Sequence, residues 1–343
     1  LGTTAIGGFL KNLHEFCGYT TVGINYLGDW GTQFGKLIVA YKKWSSPERV
    51  QERGISELVD IYVRFSSEAE KDDSLNDEAR AAFTKLEQGD AEYRAIWQSF
   101  KEISLKEYMK TYELLGSTFD SFNGESFFND KMDAIVDELR AKGLLVVDDG
   151  ASIVRLDDYN MPPAIILKKD GSTLYATRDI TAAIWRKNEY DFDKCLYVTS
   201  AGQSLHFAQY FKVIELMGYT WAKDLVHIPY GTMSVNGEKL ASRTGNVILL
   251  DDLFAEAIAK AEKIIEEKNG NLADKRKIAE AVGVGAIVFN ALSNNRIKDS
   301  NFVWEEALSF DGNTGPYVQY TYARTASVLR KADAAEGGFD AYR

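Results

Sequence analysis

Cysteine and histidine are nearly missing from this chain. Among 343 residues there are two cysteines, Cys17 and Cys195, and three histidines. No Cys/His cluster has metal-ligand spacing, so neither a zinc scaffold nor a disulfide framework organises the fold. Both cysteines sit in apolar runs and read as buried thiols in a reducing compartment. No apolar stretch approaches the ~18 residues that a membrane-crossing helix needs. The first residues carry neither the basic start nor the apolar run of a secretory signal. Positive charge is in deficit as well: 40 Lys and Arg stand against 51 Asp and Glu, a net charge of −11. That balance argues against general coating of nucleic acid or of a membrane surface, and leaves a local basic groove open. Internal repeats and low-complexity segments are absent. So is a starting Met: the chain opens mid-pattern with Leu-Gly-Thr-Thr and reads as a fragment.

What is present is a globular composition. Hydrophobic residues make up 45% and charged residues 27%, enough apolar side chains for a real core. The length suits two or three domains. Apolar residues at helical spacing predict a helix over 3–17, closed by Gly18. Residues 20–27 are β-rich and predict a strand. Residues 47–122 carry long amphipathic helical patterns, broken at 72–76 and at Gly89-Asp90. A helix is expected over 130–142. Two hairpins follow, 144–148 with 152–156 around Asp149-Gly150, and 164–168 with 173–176 around Asp170-Gly171. An α/β rhythm then sets in: helix 179–189, strand 195–199, helix 205–217, strand 225–230. Helices are expected again over 252–268, 273–294 and 316–331. Gly283 and Gly285 fall inside an apolar helix and read as close packing. The fold class is therefore α/β, with helical segments interrupting and following a sheet.

Candidate chemistry gathers at the carboxyl ends of the expected strands, where open α/β sheets bind ligands. The stretch 25–35, Asn-Tyr-Leu-Gly-Asp-Trp-Gly-Thr-Gln-Phe-Gly, packs three glycines beside a Trp and a carboxylate. It reads either as a site loop, with Asn25, Gly28, Asp29 and Trp30, or as a tight strand-to-helix turn plugged by Trp30. Tyr175 and Asp179 are four apart at a strand-to-helix junction, a spacing that turns a phenol and a carboxylate to one cavity. Asp179 is equally a routine partner of a helix N-terminus. Gln203 offers an amide and His206 follows at i+3, although a lone His near an apolar helix face is more often a packing residue. Residues 237–246, Gly-Glu-Lys-Leu-Ala-Ser-Arg-Thr-Gly-Asn, form a glycine-bounded loop with two cations, Lys239 and Arg243. Such a loop can close on an anionic group as charge develops; alone, it reads more simply as a solvated hairpin tip.

Five motifs in order resolve these alternatives. The stretch 25–35, Leu-Tyr-Ala-Thr-Arg-Asp at 174–179, the Gln203/His206 segment, Lys-Leu-Ala-Ser-Arg-Thr-Gly-Asn at 239–246, and Leu-Ser-Phe-Asp-Gly-Asn-Thr-Gly-Pro-Tyr-Val-Gln-Tyr at 308–320 together closely resemble arginyl-tRNA synthetase, a class I aminoacyl-tRNA synthetase. The resemblance covers nearly the whole chain. It implies a Rossmann-type parallel sheet with a largely helical insertion and an α-helical C-terminal part. It implies activation of L-arginine with ATP and Mg²⁺, followed by transfer to the end of tRNA(Arg). Tyr175, Asp179 and Gln203 match positions that bind arginine, and a carboxylate with flat polar neighbours suits a guanidinium. His206, Gly231, Thr232, Met233 and Lys239 are expected on ATP. The loop matches the Lys-Met-Ser-Lys-Ser signature: Lys239 fits its first lysine, Ser242 stands at the second, and Arg243 follows, so Lys239, Ser242 and Arg243 are the expected catalytic set. No protein-held metal is expected. The other class I signature, His-x-Gly-His, would by register end just before Leu1.

The expected divisions are 1–44, first part of the catalytic domain; 45–158, helical insertion; 159–250, second part of the catalytic domain; 251–306, helical linker; and 307–343, start of an anticodon-binding domain. A monomeric cytoplasmic ligase with no membrane contact is the reading. A non-catalytic synthetase-like module that binds nucleotide, amino acid or RNA is the alternative, as is another nucleotidyl transferase built on the same sheet.

Overall fold

In the computed structural model the described residues are 1–235, 237–239, 250–269 and 271–336. Hydrophobic period sets most of the elements. Helix α1 spans Gly2–Phe16, and α2 (Thr32–Trp44) leads into four more helices: α3 (Pro47–Arg53), α4 (Ile55–Ala69), α5 (Ser74–Glu87) and α6 (Ala91–Leu114). Helix α7 (Met132–Ala141) precedes a small antiparallel sheet, β1 (Val146–Asp148), β2 (Ala151–Val154) and β3 (Ala164–Leu167). Next come α8 (Tyr175–Tyr190), β4 (Cys195–Ser200), α9 (Ser204–Leu216) and β5 (Leu225–Tyr230). Short strands β6 (Met233–Val235) and β7 (Glu238–Lys239) are followed by α10 (Leu250–Asn269) and α11 (Lys275–Ser293). The described chain ends with β8 (Ser300–Phe302), α12 (Trp304–Ala307) and α13 (Gly315–Glu336).

Strands β4 and β5 pair parallel, in register from Cys195–Leu225 to Ser200–Tyr230, with α9 as the crossover. Strand β6 pairs parallel to β8 and antiparallel to β7. The architecture is α/β, as expected. Three apolar cores hold it. One gathers α7, α8, α9 and the strands from β2 to β5 around Tyr210, Ile166 and Leu139. A second gathers β6, α10, α11, β8 and α12 around Phe254 and Phe302. The third belongs to α2–α6 and the turn before them, around Phe65, Leu86 and Phe100.

Close approaches explain glycines inside helices. A Cβ on Gly35 in α2 would lie 2.1 Å from the Ala79 carbonyl oxygen of α5. One on Gly283 in α11 would lie 2.8 Å from the Ala257 carbonyl carbon of α10. The first hairpin forms as expected, with Asp149 at φ 45° and Gly150 at φ 81°, the two left-handed residues a two-residue hairpin needs.

Four expectations are corrected. Residues 20–27 do not form a strand: one rung, Ile24 to Ser121, remains. The reason is local competition, since Gly23 N donates to the Asp120 carboxylate (2.7 Å) and Gly23 O accepts from the Asp120 and Ser121 amides. The helical run 47–69 is broken by Gly54, whose φ of 57° and ψ of −132° suit glycine alone. The second hairpin has no second arm beyond a Leu167–Thr173 bridge. Helix α8 instead starts at Tyr175, its first turn tied to β3 by Thr177 Oγ1 donating to Ile166 O (2.6 Å); β3 pairs with β2. Cys17 is exposed, because the last turn of α1 projects beyond the cores: Phe16, beside it, is 90% exposed. Among the described residues no helix is long and apolar enough to cross a membrane.

Candidate functional site

Helix α8 carries the centre of the site. Because Tyr175 and Asp179 are both helical, their spacing of four puts them on one face. The Asp179 carboxylate is engaged on both oxygens: Tyr26 OH donates to Oδ1 at 3.1 Å and His206 Nε2 donates to Oδ2 at 2.6 Å. Three distant stretches therefore meet there, the segment before α2, helix α8 and the first turns of α9. Tyr175 stands edge-on to His206 with ring centroids 4.7 Å apart, and its own ring is 60% exposed at the rim. Gln203 caps the N-terminus of α9 and is exposed.

Tyr26 is the residue that sequence reasoning passed over in favour of its neighbours. Burial, reinforced by Asp179, pushes its phenol well above the ordinary range, so it stays a donor. Asn25 bonds through its backbone to Ser121 O (2.8 Å), while its buried Nδ2 has no partner among the described residues. Gly28 is exposed with open space around it. Asp29 is buried and accepts from Ser126 N (2.8 Å) and Ser126 Oγ (2.7 Å), and pairs with Lys101 Nζ (2.6 Å). Trp30 is buried edge-on to Phe83 and Trp97. These two side chains fasten the turn to α5 and α6; Tyr26 is the part of it that reaches Asp179.

A second carboxylate was also missed. Glu125 sits in the turn held by Glu125 N donating to Leu27 O (2.9 Å). Its carboxyl is pushed up to about 7, chiefly by burial, with Arg178 opposing and Asp179 and Asp29 adding to the rise. Arg178 Nη1 lies 3.5 Å from Glu125 Oε2, and its buried Nε has no partner among the described residues. Glu125 stands outside any periodic segment, so only Gly124 before it marked the place.

A cavity of about 310 Å³ opens at the carboxyl ends of β4 and β5, lined by Gly2, Ser200, Tyr230, Thr232, Met233 and Arg296 among others. Its volume suits a small ligand. Thr3 Oγ1 and Tyr230 OH are hydrogen-bonded beside it. Gly231 N donates to Arg296 O and Thr232 N to Asp299 Oδ1, both at 2.7 Å. The amides of these two expected ATP contacts are therefore already engaged within the protein, and a Cβ on Gly231 would meet Lys298 O at 2.5 Å. His227 Nε2 is 2.9 Å from Thr199 Oγ1, and the ring stacks on Phe207, with burial lowering its pKa. The Lys239 backbone pairs with Ser234. Ser242, Arg243 and the Lys239 side chain lie outside the described residues.

A parallel β4–β5 pair with a cavity at its carboxyl end, and a carboxylate pocket beside it, is the frame of a class I synthetase. The sequence profile described as "tRNA synthetases class I (R), catalytic domain" matches residues 1–304, and the chain belongs to that family. Among curated relatives, the arginine–tRNA ligase of Alkaliphilus metalliredigens (strain QYMF) is 56% identical over 98% of this chain and 59% of its own length. That of Clostridium beijerinckii is 53% identical over 99% of this chain and 60% of its own. The chain thus spans about three fifths of these relatives. The crystal structure of arginyl-tRNA synthetase from Plasmodium falciparum matches 96% of this chain and 55% of that one, at TM-score 0.78 and 26% identity. The Thermus thermophilus arginyl-tRNA synthetase shares the fold at TM-score 0.80 and 23% identity, over 96% of this chain and 61% of that one.

Proposed function

We propose that this chain is the catalytic part of an arginine–tRNA ligase, which joins L-arginine to tRNA(Arg) at the expense of ATP. The observation that carries the reading is Asp179, a carboxylate fixed on both oxygens by Tyr26 and His206 beside a second carboxylate, Glu125. An ionised Asp179 beside a second carboxyl in a partly buried pocket suits a guanidinium, whose charge would favour release of the Glu125 proton. A pocket built for that cation also rejects neutral analogues, which would leave the carboxylates unpaired. Tyr175 stands at the same opening against His206, and Gln203, exposed at the start of α9, is assigned to arginine with it.

In the first step an arginine carboxylate oxygen attacks the α-phosphorus of ATP, the Pα–O bond to the β-phosphate breaks, and pyrophosphate leaves. In the second, a terminal ribose hydroxyl of tRNA(Arg) attacks the adenylate carbonyl and AMP departs. Neither step calls for covalent catalysis by the protein; positioning and neutralisation of charge suffice. The nucleotide is assigned to the cavity beside Gly2, Tyr230 and Met233; His206, expected on ATP, is bonded to Asp179 instead of lining that cavity. Since the amides of Gly231 and Thr232 are engaged, their part is to shape the wall. Mg²⁺ is assigned as the counter-ion that arrives with the ATP phosphates. The loop cations Lys239 and Arg243, with Ser242, are assigned to the phosphates. Free thiols at Cys17 and Cys195 fit a reducing, cytoplasmic compartment, and the enzyme is read as a monomer.

The test is arginine-dependent exchange of pyrophosphate into ATP by the full-length protein, with and without tRNA. Exchange with arginine that requires tRNA is expected. Absence of exchange with every amino acid, tRNA included, would overturn the ligase reading in favour of a binding module.

A further inference from the structure

Arg186 is a buried guanidinium, 4% exposed, that lies within salt-bridge distance of no carboxylate among the described residues. Its Nη2 has no hydrogen-bond partner there either. An unpaired buried charge is costly, and structures keep one only where something offsets the cost. What surrounds it is aromatic: its Cζ lies 4.6 Å from the ring centre of Tyr26, 5.6 Å from Tyr197 and 6.0 Å from Phe128. A planar, weakly hydrated guanidinium suits such faces, and a desolvated cation gains more from them than an exposed one. The shortest of these contacts is to the phenol that donates to Asp179 Oδ1. Arg186 is also seven residues beyond Asp179 on α8, two turns along the same face.

We infer that Arg186 is a positioning residue for the arginine-specificity pocket, acting on Asp179 through the ring of Tyr26. A cation over the ring face draws electron density from the phenol and strengthens its O–H as a donor. Arg186 accordingly opposes the rise in the Tyr26 phenol that burial causes. The hydrogen bond then holds Asp179 Oδ1 in place while His206 holds Oδ2. The permanent charge on Arg186 also offsets part of the negative potential of Asp179 at the shared Tyr26 phenol before substrate arrives, without competing for the carboxylate oxygens.

This inference rests on the assignment of Asp179 to substrate arginine, and the experiment separates the two. In the full-length protein, KM for arginine and for ATP is measured by exchange for the wild type, Asp179→Asn, Arg186→Met, Arg186→Lys, Tyr26→Phe and both Arg186/Tyr26 double variants, each checked for an intact melting transition. Expected is a rise of about tenfold in arginine KM for Arg186→Met and for Tyr26→Phe, with ATP KM within about twofold, and a double variant no worse than the worse single. Arg186→Lys, which keeps the charge and loses the plane, falls between. Should Arg186→Met not fold, the Arg186→Lys pair carries the same cycle. Multiplicative effects in the double variant, equal rises for arginine and ATP, or no rise, with Asp179→Asn still impaired for arginine, would overturn the role of Arg186 alone. An Asp179→Asn variant with unchanged arginine KM would overturn the pocket assignment and this inference together.

Discussion

A carboxylate fixed by two donors responds sharply to loss of its charge. Asp179→Asn keeps the shape and removes the attraction for a cation, so arginine KM is expected to rise by well over tenfold, as for a buried charged hydrogen bond, with ATP KM little changed. Steady-state exchange in the full-length protein reads both constants; equal rises would count against the assignment. Glu125 supplies a pH signature. Its carboxyl rises from an ordinary 4.5 to about 7 on folding. Between those values the folded state keeps a proton that the unfolded chain has released, so stability falls as pH rises through the window. The contribution is present below about 4.5 and gone above about 7. Glu125→Gln is therefore expected to raise the melting temperature at pH 8 and to match the wild type near pH 4.5. A constant difference at both values would show that burial of this carboxyl is not the cause.

Among the elements, legibility followed periodicity. Helices α1, α7, α9 and α11, strands β4 and β5, and the Asp149-Gly150 hairpin all sit where apolar spacing and turn residues put them. The stretch 20–27 misled because β-branched content says nothing of what its amides bond to, and here Asp120 takes the place of a ladder. The arm 173–176 misled for the opposite reason: its last residues, Tyr175 and Ala176, were drawn into α8, whose first turn is held to β3 by a hydroxyl-to-carbonyl bond from Thr177 to Ile166. At the site, Asp179 was visible through its spacing from Tyr175, whereas Glu125 and Arg186 became visible only once distant segments were brought together. Packing between helices makes its own prediction. Gly35→Ala must force α2 from α5, since no Cβ fits 2.1 Å from a carbonyl oxygen. A loss of about 1–3 kcal/mol is expected in urea unfolding. Gly7→Ala, on a helix with nothing within 4 Å, is the control; it is expected to gain about 0.5–1 kcal/mol.

At the scale of the whole molecule, three cores imply more than one unfolding step. The core of α2–α6 is contiguous in sequence and contains Trp30, Trp44 and Trp97, whereas Trp185, Trp221 and Trp304 lie elsewhere. Phe65 is fully buried in it. Phe65→Ala is expected to lower the stability of that unit by about 3–5 kcal/mol. Hydrogen-exchange protection of α10 and α11 would remain as in the wild type. A uniform loss of protection across the chain would mean the cores open as one.

The three-stranded β7–β6–β8 sheet is small, yet Ser234 faces Lys239 on one side and Asn301 on the other. Asn301 Oδ1 also accepts from Gly237 N (2.8 Å) and from Ser234 Oγ (3.1 Å). The Lys239 backbone is thus two strand spacings, roughly 10 Å, from a strand that runs directly into α12 and on to α13. A sheet of that width behaves as a short stiff crank. A displacement of β8 is therefore expected to be felt at the Lys239 backbone, because β6 is hydrogen-bonded to both.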